Sequence, residues 1–527
     1  MLISCQTQDR TVVRRRKSSE KLEEPLGSLH RFRQFQPIPD AERNGMEMKN
    51  SGQNTRRLRL LVAVASYGEG HLEYLRRIIH TYQSMDLDVD VVVFSEAPKE
   101  LGPNVEVTVG LPAKNPWTLP FAHKALFARR VDQYDLFVYS EDDIGVSEGQ
   151  IRAFLSAAAQ LEPEEIAGFL RYEVDESGKR FVAEPWGHFH WKPESVRRRG
   201  DYLIAEFTNE HAGFYILTQE QLKRAIASGG FLRGPCRGRY SWPETAATDP
   251  YTNCGFRKVI CISDLENFLV HHLPNRYANG LPVSLASFQE QIQTLNHICV
   301  GIHPAHTLLE AESKQMPGRW QKWYYDQPAG EMLGMIPDDA KTVLSIGCGR
   351  GDWEAKLMER GARVTAIPMD TVIGAAAQRR GIDVVYGTWE ECIKRLEGQR
   401  FDCVFIKDLL HLQQNPGQLL EKSSGFVAKH GMLVIAGPNF DRVPWLIRRA
   451  FGVDGFDKLR SFELSGFNIC VPRTLSKQIE SMGLCVKNVR WLNHRFGRGF
   501  LFGKGINLGK FTAKDWVLQA CRQNDLS

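Results

Sequence analysis

The sequence predicts an α/β protein with two domains, and three observations lead to this prediction. Short apolar runs alternate with segments of helical periodicity, which is typical of mainly parallel sheets. The chain has 527 residues, more than one hydrophobic core normally organises. Two apolar runs, at 135–140 and 343–346, lead directly into distinctive residues, three acids after the first and three alternating glycines after the second. The sequence therefore predicts one candidate site in each domain.

Composition and charge narrow the class of protein. Of all residues, 43% are apolar and 24% are charged, as in ordinary globular proteins, and a formal charge of +5 gives no reason to expect nucleic acid as a partner. No apolar run approaches the ~20 residues that cross a bilayer, and the arginines at 14–16 come too early for a signal peptide. The 11 cysteines form no C-x-x-C pair. We therefore expect neither a zinc cluster nor a disulfide framework, and a cytoplasmic location.

The N-terminal domain is expected at 58–280, after a tail at 1–57 whose polar and charged composition predicts disorder. Basic residues at 14–17 could contact acidic lipid headgroups, which leaves peripheral membrane association open, although a solvated tail is the simpler interpretation. Strands are predicted at 58–66, 89–94 and 105–109, and helices at 71–82 and 121–131. This alternation favours a mainly parallel sheet.

Three adjacent acids end the next apolar run, namely Glu141, Asp142 and Asp143. Like charges at a strand end repel one another and lose hydration when they pack inward, so they either face water or bind a cation. After a buried strand the cation is the better interpretation. The segment resembles the D-x-D motif of the GT-A glycosyltransferases, which have a mixed, nucleotide-sugar-binding sheet, and the resemblance implies that all three acids occupy the metal site, with Asp143 as the expected ligand. The resemblance implies Mn or Mg, which would stabilise the departing nucleotide diphosphate.

Later segments extend this resemblance. Residues 208–217 resemble the stretch that faces donor and acceptor sugars. His271 or His272 resembles a late histidine that supplies another metal ligand, and the sequence does not choose between them. Residues 186–191 combine aromatic and histidine side chains that either stack on a sugar ring or pack as a loop. An inverting enzyme needs a carboxylate base. The candidates for this base are Glu210, Glu244 and Asp249.

The second candidate site is a turn with glycine at alternate positions. Glycine permits dihedral angles closed to other residues and lets a ligand approach the backbone, next to the unpaired N–H groups of the following helix. A dinucleotide-binding turn needs glycine at position 352, which is Asp352, so a nicotinamide-dependent oxidoreductase is disfavoured. The G-x-G-x-G spacing resembles motif I of the class I S-adenosylmethionine (SAM)-dependent methyltransferases, whose Rossmann-like sheet has seven strands. The resemblance implies cofactor contacts at Ser345, Gly347, Cys348, Gly349 and Gly351.

Further segments follow in the order of that family. Helices are predicted at 353–360 and 473–482, and strands at 363–367, 383–386, 401–406, 431–439 and 483–486. Where the family has an acid that binds the ribose, this chain has Pro368, and the nearest carboxylate is Asp370. The resemblance therefore implies ribose recognition by Asp370.

Four more side chains complete the implied cofactor pocket. Thr388 stands where the family usually has an acid, and Trp389 beside it has a ring that could stack on the adenine. Asp408 is expected at the pocket rim. His411 occupies the position of the family's histidine and is the candidate catalytic base, which helps when the acceptor is a hydroxyl.

Between the domains, residues 281–316 are predicted to be a connector, and the methyltransferase domain is expected at 317–527. The two resemblances together imply a bifunctional enzyme of polysaccharide biosynthesis. One domain would transfer sugar from a nucleotide sugar to a glycan or glycolipid acceptor, and the other would methylate, at oxygen, with SAM. The alternatives are a methyltransferase with an inactive glycan-binding N-terminal domain, and a non-catalytic scaffold, because Pro368, Thr388 and Glu141 depart from the family patterns.

Overall fold

The protein is described by a computed structural model covering residues 57–235, 240–308, 313, 320–328, 330–452, 461–492 and 509–522. The tail predicted at 1–57 lies outside these residues except for its last one. The described residues belong to one compact unit. Among the described residues, none of the helices combines the length and the apolar character needed to cross a bilayer.

Short strands alternate with helices through the described N-terminal half. The strands are β1 (Arg59–Ala65), β2 (Asp88–Ser95), β3 (Val105–Val109), β4 (Leu136–Glu141), β5 (Ile144–Gly145), β6 (Glu165–Ala167), β7 (Leu170–Val174), β8 (Arg180–Val182), β9 (Arg197–Arg199), β10 (Tyr202–Ala205), β11 (Phe214–Thr218), β12 (Arg257–Cys261) and β13 (Leu269–His272). The helices are α1 (Leu72–Gln83), α2 (Ala122–Arg130), α3 (Glu148–Ala158), α4 (Gln219–Ala227), α5 (Trp242–Thr252) and α6 (Leu285–Cys299). Turns of 3-10 helix lie at Pro116–Phe121, Pro193–Ser195, Ile262–Phe268 and Ala278–Gly280.

A five-stranded sheet with the order β11-β4-β1-β2-β3 organises the start of this half. β1 pairs in parallel with β2 and β4, β3 pairs in parallel with β2, and β11 is antiparallel to β4. The mainly parallel sheet predicted from the alternation is thus confirmed. Helix α1 packs through Leu75, Ile78, Ile79 and Tyr82, whose spacing places them on one helix face.

Two four-stranded sheets follow, with the orders β6-β12-β10-β9 and β5-β13-β7-β8. In the second of these, β13 runs antiparallel to β5, which comes directly after the three acids. This pairing sets His272 opposite Ile144 and His271 opposite Gly145. Strand pairing therefore brings a histidine pair to the acidic segment over a long stretch of sequence.

The described C-terminal half has its own sheet and helices. Its strands are β14 (Thr342–Cys348), β15 (Arg363–Pro368), β16 (Asp383–Val384), β17 (Phe401–Lys407), β18 (Val427–Pro438), β19 (Leu484–Leu492) and β20 (Asp515–Arg522). Its helices are α7 (Gly330–Leu333), α8 (Asp352–Glu359), α9 (Thr371–Gln378), α10 (Trp389–Arg395), α11 (Pro416–Ser424), α12 (Val443–Ala450), α13 (Phe462–Ser465), α14 (Pro472–Ser481) and α15 (Gly509–Thr512), with a 3-10 turn at Leu410–Leu412.

These strands form one seven-stranded sheet of the order β16-β15-β14-β17-β18-β20-β19. The strands from β16 to β18 are parallel, and β20 is antiparallel to both β18 and β19. The chain leaves β14 on one side through β15 and returns on the other side through β17. The carboxyl end of β14 therefore lies at a topological switch point, where open α/β sheets bind their ligands.

The two halves touch through the segment that precedes the second sheet. The ring of Tyr324 stacks on His190 with centroids 4.0 Å apart, and the Tyr324 N–H donates to the carbonyl oxygen of Gly187 at 2.9 Å. The halves are thus joined by packing as well as by the chain, and the domain boundaries stay predictions.

Candidate functional site

The glycine turn after β14 needs glycine for two different reasons. Gly347 and Gly351 have φ angles of +75° and +88°, in the left-handed region that favours glycine. At Gly349 a β-carbon would lie 2.4 Å from the carbonyl oxygen of Tyr324. That oxygen accepts a hydrogen bond from the Arg350 N–H at 3.0 Å. The turn is therefore tight, and the segment around Tyr324 lies directly against it.

Asp370 lies after the carboxyl end of β15, beside the glycine turn in the sheet. It is the N-cap of α9, where its Oδ1 accepts the Ile373 N–H at 2.9 Å. Its Oδ2 has no hydrogen-bond partner among the described residues, although the residue is only 1% exposed. Burial raises the pKa of Asp370 to about 7. A buried carboxylate oxygen without a donor fits a ligand that brings hydroxyl groups, as the ribose of SAM does.

Ser345 and Cys348 both have buried side chains. The Ser345 hydroxyl donates to Oε1 of Glu354 at 2.5 Å, and both side chains are buried. Cys348 is 3% exposed, and burial raises the pKa of its thiol well above the ordinary value. Their side chains thus stabilise the strand and α8, so any cofactor contact at these positions would come from the backbone.

Charged and histidine side chains lie at the end of β17. Lys407 pairs with Asp408 and with Oδ2 of Asp326, the latter at 2.7 Å. His411 is 2% exposed, and its Nε2–H donates to the carbonyl oxygen of Trp320 at 2.7 Å. Burial lowers the pKa of His411 to about 4, so the ring is neutral at neutral pH. A neutral imidazole suits a base, but this one is enclosed and already positioned by a backbone contact.

The structure gives Thr388 and Trp389 roles in folding. Thr388 is the N-cap of α10, and its hydroxyl accepts the Glu391 N–H in a capping box. Trp389 is only 6% exposed and belongs to the same hydrophobic core as Cys392 and Leu396. The stacking of Trp389 on an adenine therefore stays a prediction, to which its burial gives no support.

At the end of β4, two of the three acids converge on a histidine that the sequence reading missed. Asp142 accepts hydrogen bonds from the Ser66 hydroxyl at 2.6 Å and from Nδ1 of His71 at 2.9 Å. The Asp143 Oδ2 lies 3.5 Å from the same Nδ1 and 3.3 Å from Nε2 of His272. His71, Asp142 and Asp143 each offer a ligand atom, and these atoms lie within 4.8 Å of one another. The Asp143 Oδ1 is buried without a hydrogen-bond partner among the described residues. This donor set fits a divalent cation such as Mn or Mg.

Glu141 is separated from this group. Its carboxylate lies against Gly213, where a β-carbon would be 3.0 Å from Oε2 and where φ is +61°. Burial, followed by the charge of Asp143, raises the pKa of Glu141 to about 7. The predicted metal role of Glu141 is thus less suited to its position than those of Asp142 and Asp143.

The two histidines of β13 occupy different environments. His272 bridges Asp143 and Glu173, with Nδ1 2.5 Å from the Glu173 Oε1. Burial lowers the pKa of His272, but the hydrogen bonds to Asp143 and Glu173 outweigh it and raise the pKa to about 9. His271 instead contacts the Asn275 side-chain oxygen at 3.0 Å through Nε2. The structure therefore places His272, and not His271, beside the acids.

The three candidate carboxylate bases are also distinguished. Glu210 accepts a hydrogen bond from the Tyr240 hydroxyl. Glu244 closes the capping box at the start of α5. Asp249 is fully buried within α5 and pairs with Lys124, and burial raises its pKa. Asp249 is therefore the least able of the three to reach a substrate, and the choice of base stays a prediction.

Sequence reasoning missed His71, Lys322 and Asp326. His71 follows a short glycine-containing loop after β1, and only the folded sheet brings it to acids about 70 residues away. Lys322 and Asp326 precede the glycine turn in a segment noted only for its aromatic residues. A position directly after the first strand, where neighbouring strands end together, was the one signal that could have found His71.

Residues 329–456 match the family model of the methionine biosynthesis protein MetW. None of the curated proteins matches the chain. Among solved structures, a SAM-dependent methyltransferase from Thermotoga maritima is 14% identical with a TM-score of 0.27, covering 37% of this chain and 87% of its own. One from Archaeoglobus fulgidus is 20% identical with a TM-score of 0.27, covering 35% and 86%. Magnesium protoporphyrin IX methyltransferase from Synechocystis PCC 6803, with bound S-adenosylhomocysteine (SAH), is 15% identical with a TM-score of 0.26, covering 34% and 74%.

These TM-scores are too low to carry an argument. The family match covers less than half of the chain and lies on the glycine turn and the strands around it. Together with the observed sheet order, it supports a class I SAM-dependent methyltransferase in the C-terminal half.

Proposed function

We propose that the C-terminal half transfers a methyl group from SAM. The main support is the glycine turn at the switch point of the sheet. At the end of the next strand lies the buried carboxylate of Asp370, whose Oδ2 has no hydrogen-bond partner among the described residues. SAM-type cofactors need a close backbone approach for one end and hydroxyl acceptors for the ribose. Both requirements have a counterpart at this edge.

When bound, SAM supplies an electrophilic methyl group on sulfur. Transfer to an oxygen then depends mainly on alignment of the acceptor with that methyl group. Asp370 would hold the ribose hydroxyls, the glycine turn would line the other end of the cofactor, and Asp408 would lie at the rim. His411 is held neutral by burial and would accept the acceptor's proton if the acceptor reaches it.

A second activity is proposed for the N-terminal half, namely metal-dependent transfer from a nucleotide sugar to a glycan or glycolipid. The observation that favours it is the convergence of His71, Asp142 and Asp143, with a buried Asp143 oxygen that has no hydrogen-bond donor among the described residues. A bound Mn or Mg would act as a Lewis acid toward a diphosphate. If this half is inactive, the same cluster would serve a glycan-binding domain attached to a methyltransferase.

A ligand panel tests both proposals. The thermal midpoint of the purified chain is measured with SAM, SAH, NAD and Mn plus nucleoside diphosphates. The methyltransferase proposal expects stabilisation by SAM and SAH but not by NAD, since a bound ligand stabilises the folded state. Stabilisation by NAD alone would overturn it. The second proposal expects one nucleotide to act only when Mn is present, and no response to any pair of Mn and nucleotide would contradict it.

A further inference from the structure

Lys322 is a buried cation with one hydrogen-bond partner among the described residues. It is 5% exposed, and its Nζ donates to the carbonyl oxygen of Lys407 at 2.8 Å. Among the described residues, the Lys322 ammonium makes this one hydrogen bond, although an ammonium has three N–H groups that can donate. Burial, followed by the charge of Lys407, lowers the pKa of Lys322. Two of its N–H donors are thus left without an acceptor among the described residues.

The position of this ammonium is set from two sides. Its acceptor, Lys407, is the last residue of β17, the strand next to β14. Its own backbone lies two residues before Tyr324, whose carbonyl oxygen lies against Gly349. Lys322 therefore reaches the carboxyl ends of the two central strands, beside the glycine turn.

The charges around Lys322 are balanced in a particular way. Lys407 pairs with Asp326 and Asp408, so both carboxylates already have one cation. Lys322 makes no such pair among the described residues. A ligand that carries both an ammonium and a carboxylate fits this set of two lysines and two aspartates. Its carboxylate would pair with Lys322, which has no carboxylate partner among the described residues.

We propose that Lys322 binds the α-carboxylate of the methionine portion of the cofactor. The inference rests on the proposed methyltransferase function and names a contact within that same site. A charge-assisted hydrogen bond between a buried ammonium and a carboxylate is stronger than one between neutral groups. Lys322 then fixes the amino-acid end of the cofactor while Asp370 fixes the ribose.

Two ligands that differ in one group test this contact. Calorimetric titrations compare SAM with decarboxylated SAM, which keeps the adenosine, sulfonium and amine but lacks the carboxylate. For the wild-type chain we expect SAM to bind about ten- to a hundredfold more tightly, as one charged hydrogen-bonding contact provides. In Lys322→Met that ratio should fall to within about threefold. Lys356→Met, which changes an exposed lysine of α8, should keep the wild-type ratio.

The outcomes separate the inference from the function on which it rests. If the wild-type chain binds both ligands with equal affinity, or if Lys322→Met keeps the full ratio, Lys322 does not bind the carboxylate. If the wild-type chain binds neither ligand, the methyltransferase proposal fails and the inference fails with it. Should Lys322→Met not fold, equal wild-type affinities for the two ligands would still overturn the inference, and Lys322→Arg, which keeps the charge, should retain a ratio above about threefold.

Discussion

The clusters at the ends of β4 and β17 differ in what balances their carboxylates. At β4, Asp142 and Asp143 face His71 and His272, whose pKa values are both raised in this environment, that of His272 to about 9 against the effect of burial, and whose neutral imidazoles are themselves metal ligands. At β17, Asp326 and Asp408 face Lys407, which keeps its proton. The first set can give its carboxylates to a metal ion, whereas the second already holds them in permanent ion pairs. Acids at a strand end therefore suit a metal cation where their partners are histidines, which can lose a proton, rather than a lysine that stays charged.

The largest expected effect separates the two regions at Gly349. In Gly349→Ala the new methyl group would lie 2.4 Å from the Tyr324 carbonyl oxygen, so the segment before the sheet must move. We expect loss of SAH binding and a destabilisation of about 1–3 kcal/mol from overpacking. Calorimetry with SAH and thermal unfolding measure the two effects.

The matched control is Gly330→Ala, where no atom lies within 4 Å of the new methyl group. It should bind SAH like the wild-type chain. Unchanged SAH binding in Gly349→Ala would show that the turn is not a cofactor site, and Mn binding should be unaffected in both variants.

The reciprocal change is Asp143→Ala at the end of β4. It removes the carboxylate that lies beside both His71 and His272. We expect Mn affinity to fall about a hundredfold or more, because the loss of a direct ligand should cost at least as much as the loss of a group that only supports a ligand. SAH affinity should not change. Titration with Mn measures this, and Asp132→Ala, at an exposed acid, is the control. Equal Mn affinity in the two variants would contradict a metal site.

Much of the fold follows from local pattern, and much of the site does not. The glycine turn is encoded by its own residues, because Gly347 and Gly351 adopt backbone angles that other residues disfavour. The strands around it are predicted by their apolar runs. By contrast, the contacts of His71 and Lys322 depend on residues about 70 to 85 positions away, which one sequence cannot pair. Trp389 and Asp249 show a different difficulty, since residue types that are common in sites are here buried in a hydrophobic core and in an ion pair, and their predicted roles stay predictions.

A smaller effect is expected at Asp370, where function and stability oppose each other. Its folded pKa of about 7 lies above the ordinary value, so the folded state keeps the proton while the unfolded state loses it. The stability linked to this group is present at acidic pH and is lost as the pH rises through about 7. Asp370→Asn keeps an N-cap side chain but carries no charge. Its thermal midpoint relative to wild type should rise by a few degrees between pH 5 and pH 8.

The same variant should bind SAM more weakly, by about tenfold, because an acceptor for the ribose hydroxyls is lost. Thermal unfolding at the two pH values and a SAM titration measure the two effects. A midpoint difference that does not change with pH would contradict the buried carboxylate, and unchanged SAM affinity would remove Asp370 from the pocket.

The smallest effect is expected at His271. This ring contacts Asn275, so His271→Ala should change Mn affinity by less than about threefold, whereas His71→Ala should weaken it by about tenfold or more. His80→Ala, in the exposed last turn of α1, controls for loss of a surface imidazole. Similar Mn affinities for the His271 and His71 variants would mean that the geometry at β4 does not determine the ligands.

The methyltransferase assignment is tested most directly by calorimetric titration of the full chain with SAH, in the presence and in the absence of EDTA. We expect a single class of SAH site whose affinity is the same with and without EDTA, because the proposed contacts of the glycine turn, Asp370 and Lys322 with SAH involve no metal ion. No binding of SAH would contradict the methyltransferase assignment. Binding that disappears with EDTA would contradict the independence of the two strand-end clusters.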